Sequence, residues 1–258
     1  MLKGLSLAAL FFTSLTASAN TARWQDPQYI ESSFFTIALH NEYDAHGKKI
    51  RKWDQPIKVF LDHRVPDQDL HTELARMHIE HLANLSNHDI SLVDTLDESN
   101  VHWVYTRQSE WEGVVEEVMG KPSVEHTRSA LCMANFAVNS RGELVRANIV
   151  IPVDQARDHG KLLACVVEEM TQILGLPNDS DSVYPSVFND RSPEDLLSPL
   201  DGLLIKLLYH PSIKAGMTEA QARPLIKELL MQFTFDGTID NIHREVIEGE
   251  LYEAMGFR

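Results

Sequence analysis

A mixed α/β or α+β protein is what this sequence predicts, and three observations lead there. Short β-prone runs alternate with helical periodicity over residues 57–151. A hairpin signal within that span then precedes one strongly amphipathic helix at 161–174. Two further helix candidates close the chain. Runs of this mixed kind fit a sheet with helices better than an all-α bundle.

Residues 1–19 read as a secretory leader: Lys3 in the n-region, an apolar run from Leu5 to Leu15, and Ala17-Ser18-Ala19 as the cleavage site. The run is too short for a stable membrane anchor. No cysteine follows the cleavage site, which argues against a lipoprotein anchor. The expectation is an exported protein, periplasmic or secreted, beginning near Asn20 and without membrane insertion after cleavage.

Residues 24–56 are polar and aromatic, and 34–39 suit a strand or a short helix equally. Asp44-Ala45-His46-Gly47 reads as a turn, and 57–61, after Pro56, as a first core strand. Residues 67–85 carry Leu70, Leu74, Met77, Leu82 and Leu85 at helical spacing. The same segment holds His71, His78 and His81. Imidazole is a common metal ligand, but the spacing fixes no third one, and solvated helix-face histidines are the plainer expectation. Strands are expected at 90–93 and 101–106, and a helix at 110–119, stopped by Gly120-Lys121-Pro122. A hairpin pairs 132–138 with 144–151. In the tail, Thr218 and Gln221 make a capping box for a helix at 219–231. A last helix is expected at 241–255, with Phe233, Phe235 and Phe257 packing the tail to the body.

The chain has 258 residues and a formal charge of −15, which becomes −16 once Lys3 leaves with the leader. Such a field repels nucleic acid and anionic lipid and could favour cations or basic partners; the expected partner is an unknown protein or peptide. Cys132 and Cys165 are the only cysteines. In an exported chain that even count favours a structural disulfide, tying the amphipathic helix to the segment before it. No G-x-S-x-G elbow, P-loop or dinucleotide fingerprint is present.

The helix at 161–174 places Leu162, Leu163, Val166, Val167, Met170, Ile173 and Leu174 on one face, and Cys165, Glu168, Glu169 and Gln172 on the other. Glu168 and Gln172 are an i,i+4 pair. Gly175 can end the helix and Pro177 prevents its continuation, so Asn178 and Asp179 follow in a turn.

E-E-x-x-Q-x-L-G-L-P-N-D, starting at Glu168, resembles without a gap the metzincin pattern H-E-x-x-H-x-L-G-L-P-H-D. The resemblance puts Glu168, Gln172 and Asn178 at the three histidine positions and Glu169 at the catalytic glutamate. Residues 182–186 resemble the Met-turn, with Val183 in place of methionine, and 197–209 the C-terminal helix, with Ser198 as N-cap. The chain also resembles an uncharacterised bacterial group, domain-of-unknown-function family 2927, from about Tyr29 to Met217. That similarity rests on Arg51-Lys52-Trp53, Cys132, Cys165-x-x-Glu168-Glu169-x-x-Gln172, Leu174-Gly175-Leu176, Asn178-Asp179 and residues 185–190. These resemblances imply a zincin fold of metzincin type, α+β, with a mixed sheet, a central active-site-type helix and C-terminal helices. They imply a domain over 20–217 and a helical extension over 218–258, but no known activity.

One carboxylate and two amide oxygens are poor zinc donors. Oxygen ligands suit a hard divalent cation such as calcium or magnesium, with Asp179, Asp181 and Asp190 near in sequence; no cofactor is otherwise predicted. Two functions stay open. In one, a pseudo-protease binds or scaffolds, with Glu168, Glu169, Gln172, Asn178 and Asp179 as a hydrogen-bonded network. In the other, a peptidase-like hydrolase uses Glu169 as general base, with or without an unusual metal. A metal site borrowing His71 or His159 is a third arrangement.

Overall fold

The computed structural model describes residues 22–39 and 49–257. The expected leader and the turn at 44–47 lie outside the described residues. Pro27–Leu39 forms α1, which decides the open reading of 34–39 in favour of helix. Asp26 Oδ1 starts it by accepting from the Gln28 amide at 2.7 Å.

Five strands make one sheet: β1 (Ile57–His63), β2 (Ile90–Leu92), β3 (Val101–Thr106), β4 (Met133–Val138) and β5 (Leu144–Pro152). Their order is β2-β1-β3-β5-β4. The first four run parallel and β4 pairs antiparallel with β5, as the hairpin signal requires. The fold is α+β with a mixed sheet. Parallel neighbours need crossovers, supplied by α2 (Gln68–Ser86) and α3 (Trp111–Met119). The helices that follow are α4 (Val153–Asp158), α5 (Leu162–Gln172), α6 (Pro199–Tyr209), α7 (Glu219–Phe235), α8 (Thr238–Ile247) and α9 (Glu250–Ala254).

Side-chain alternation divides the sheet into two faces. Val59, Val101, Trp103, Ala147 and Ile149 enter the main core with Val166 and Met170 of α5 and Leu82 of α2. On the other face Val104 and Val150 pack with Trp111, Val114 and Val115 of α3 in a smaller cluster. The main core continues into the tail through Ala222, Ile242 and Leu251. No helix among the described residues is long and apolar enough to cross a membrane.

Three expectations are corrected. The histidines of α2 are not solvated: His71 and His78 are fully buried and His81 nearly so. The helix is covered on several sides, by α5, α6, α8 and α9. His71 stacks on Tyr105, with ring centroids 4.8 Å apart. His78 Nε2 lies 3.0 Å from the Val167 carbonyl and 3.1 Å from Thr171 Oγ1 on α5. Burial holds all three imidazoles neutral, pulling His78 to about 3 and His71 and His81 to about 4.

The single helix expected at 241–255 is two, α8 and α9, broken at Gly249. A Cβ on Gly249 would stand 2.5 Å from His81 Nδ1, so the break is where the chain must clear that ring. Finally, Phe233 is buried but Phe235 and Phe257 are exposed, Phe235 at 94%. Residues two apart on a helix point roughly opposite ways, and α7, packed against α1 and α8, turns Ala222, Ile226 and Phe233 inward.

The Cys132–Cys165 disulfide forms as expected, joining the residue before β4 to α5 across 33 positions. On the chain-entropy account a loop of that size is worth about 3 to 4 kcal/mol. Reduction, or the double change Cys132→Ser with Cys165→Ser, should therefore lower unfolding free energy by about that amount in a urea titration. A change below about 1 kcal/mol would show that the bond constrains little.

Candidate functional site

The C-terminal end of α5 is fixed by groups from distant parts of the chain. A helix leaves its last four carbonyls without internal partners. Here the Trp53 indole donates to the Ile173 carbonyl at 2.8 Å, and the Tyr209 hydroxyl to the Leu174 carbonyl at 2.9 Å. Gly175 takes φ +115°, and a Cβ there would fall 2.0 Å from the Arg51 carbonyl oxygen. Only glycine permits that approach. The turn the sequence predicts at Gly175 is therefore built against the Arg51-Lys52-Trp53 segment.

Beyond the turn, Asn178 is 8% exposed and points into the protein. Its Nδ2 donates to the Thr36 carbonyl at 3.0 Å and its backbone N–H to the Ile37 carbonyl at 3.3 Å. Both acceptors belong to the last turn of α1, so Asn178 caps a second helix. Gln172 Nε2 donates to Asp179 Oδ1 at 2.9 Å, which ties the end of α5 to the turn that follows it.

Residues 173–198 contain no regular helix or strand, yet they are pinned throughout. The Ser180 amide donates to the Phe188 carbonyl at 2.8 Å, and Asn189 Nδ2 to the Val183 carbonyl at 2.7 Å. The Tyr29 hydroxyl accepts from the Tyr184 amide at 2.7 Å, and Val183 is buried. The Tyr184-Pro185 peptide is cis. Ser198 caps α6 as expected: its Oγ accepts from the Asp201 amide at 3.1 Å, while Asp201 accepts from the Ser198 amide at 2.7 Å. Asp201 is fully buried and also accepts from Ser186 Oγ at 2.6 Å. Burial lifts its carboxyl to about 6 despite those donors.

Glu168 and Glu169 sit where charge is poorly compensated. Glu169 is 5% exposed, and its Oε2 has no hydrogen-bond partner. Burial, with Asp179 adding repulsion, raises Glu169 to about 8. Glu168 is half-buried and pushed well above the carboxylate range, first by burial and then by Glu169, Asp179 and Asp190. Lys161 opposes this, but it is itself paired with Asp195 at 2.7 Å.

The structure thus brings Glu168, Glu169, Gln172 and Asp179 into one neighbourhood and turns Asn178 away to α1. The set does not fit zinc: it offers carboxylate and amide oxygens, its two amides are oriented by their own N–H bonds to Thr36 and Asp179, and no imidazole or thiolate stands among them. Among the described residues, no group of three or more His, Cys, Asp or Glu is arranged to hold a metal ion. Sequence reading missed the caps supplied by Trp53 and Tyr209. Trp53 stood in a segment marked only by family similarity, and Tyr209 at the end of the 197–209 helix that the metzincin resemblance predicted.

A carboxyl raised from 4.5 to about 8 contributes stability that is complete below about pH 4.5 and is lost as pH rises through about 8. Glu169→Gln keeps the shape without the charge. Its melting temperature should exceed that of the wild type at pH 9, by a stability gain of at least about 1 kcal/mol, and match it near pH 5. Parallel pH curves would contradict the burial of an ionisable Glu169.

A family model described as protein of unknown function (DUF2927) matches residues 27–228. The chain belongs to that family. No curated protein matches it.

Proposed function

We propose that this chain is an exported zincin-like module that binds or scaffolds a protein or peptide partner and does not carry out zinc chemistry. The observation that carries the reading is the fate of the amides at two of the three ligand positions. Asn178 caps α1 and Gln172 holds Asp179. Support for the zincin comparison comes from the order of parts. A mixed sheet precedes α5, whose E-E-x-x-Q frame ends in a glycine turn, and a capped helix follows. Export rests on the leader read at 1–19 and accords with the Cys132–Cys165 bond.

One observation favours a second reading, hydrolysis with Glu169 as proton carrier. A buried carboxyl with an unpartnered oxygen and a value near 8 is poised to exchange a proton near neutral pH. Activity of that kind would rise as pH passes through about 8, where the base form appears.

Elemental analysis of untagged protein purified without chelator separates these accounts. The binding reading expects no stoichiometric zinc, and no calcium or magnesium that depends on Glu168 and Gln172. Stoichiometric metal, lost in Glu168→Ala with Gln172→Ala, would overturn it. A peptide-library assay addresses the second reading: cleavage by the wild type that falls about a hundredfold or more in Glu169→Gln would establish hydrolysis. Equal results from both proteins would remove Glu169 from any chemistry.

A further inference from the structure

The second face of the sheet carries a cavity unrelated to the α5 site. Phe60, His102, Asn148 and Asn135 stand side by side across β1, β3, β5 and β4 on that face. Helix α3 covers Val104 and Val150, one step along the strands. Beside it opens a cavity of about 480 Å³, within the range of small-ligand sites.

Its polar groups divide into those already used and those still available. Arg64 binds Asp62 through Nε and Nη2 and Glu117 through Nη1 and Nη2, at 2.8 to 3.0 Å, so both carboxylates are already paired with it. Asn100 is committed to the Lys58 amide and the Pro56 carbonyl. Arg146 and Asp97 both line the cavity, and neither has an ion-pair partner among the described residues. His102 Nε2 lies 3.2 Å from Asp62 Oδ2. Arg64 and His102 hold that carboxylate ionised against the cost of its burial, so the imidazole proton sits on Nε2 and Nδ1 is an acceptor. Asn148 Nδ2 donates to Asn135 Oδ1 at 2.9 Å, leaving Asn148 Oδ1 as an acceptor too.

One free cation, one free anion and two neutral acceptors are the complement of a zwitterion. We infer that this cavity binds a free α-amino acid with an apolar side chain. Its carboxylate is held by Arg146, and its ammonium by Asp97, Asn148 Oδ1 and His102 Nδ1. An ammonium has three N–H donors, and those three acceptors match them. The side chain rests on Leu96, which is 48% exposed, and Val118. Net charge points the same way. A chain of −15 repels a simple carboxylate. A simple amine would leave Arg146 unpaired, whereas a zwitterion has no net charge to repel.

Isothermal titration of the full chain with L-leucine, 4-methylpentanoate and 3-methylbutylamine tests this. The last two lack the ammonium and the carboxylate respectively. Leucine is expected to bind with a dissociation constant between about 1 μM and 1 mM, and each analogue at least about tenfold more weakly. Arg146→Gln and Asp97→Asn, both on the surface, should each weaken leucine by at least about tenfold with unchanged circular dichroism. No heat from leucine up to about 10 mM would overturn the inference. So would analogues that bind as well as leucine, or leucine binding indifferent to both substitutions. Preference for a polar amino acid over leucine would overturn the assignment of Leu96 and Val118.

Discussion

The close approach of Gly175 to the Arg51 carbonyl is the contact on which the rest of the site depends. Without it the chain leaving α5 could not turn under the 51–53 segment, and the two orphan carbonyls at the helix end would lose Trp53 and Tyr209. Those two caps tie together the strand entry, the site helix and the end of α6. Once the turn is made, Asn178 reaches the end of α1 and closes that helix as well. Two helix termini are thus satisfied around one glycine. Each capped carbonyl is worth only about 1 kcal/mol, but an uncapped buried one costs more than that.

Against this rigid end stands an electrostatic cost in the middle of α5. Two adjacent glutamates face Asp179 and Asp190, with Lys161 already spent on Asp195. The fold accommodates them by keeping protons on the carboxyls rather than by supplying cations. A buried carboxyl kept neutral can donate a hydrogen bond. The other sheet face makes a contrast, since Arg64 there hydrogen-bonds both neighbouring carboxylates, Asp62 and Glu117.

Much of the fold was legible because local signals carry it. Period-two runs placed the strands, the amphipathic stripe placed α5, and Ser198 with Pro199 and Thr218 with Gln221 marked two helix starts. The glycine turn and the disulfide were equally readable from residue type and count. What stayed hidden is long-range pairing. Nothing near Asn178 in sequence announces Thr36, and nothing near Trp53 announces Ile173. The α2 histidines look like surface residues by composition and become core residues only because four helices converge on that one. Phe235 fails in the opposite sense: apolar character suggested burial, but its angular position on α7 leaves it outside.

The central claim is that Asn178 is a helix cap and not a metal ligand. Chemical denaturation of the wild type and Asn178→Ala, each with and without a strong chelator, tests it most directly. The account predicts that the substitution costs about 1 kcal/mol, the worth of the lost bond to Thr36, equally in both conditions. It also predicts that chelator leaves the wild type unchanged. A wild type that falls to the level of Asn178→Ala on chelation, with no further loss in the variant, would contradict it.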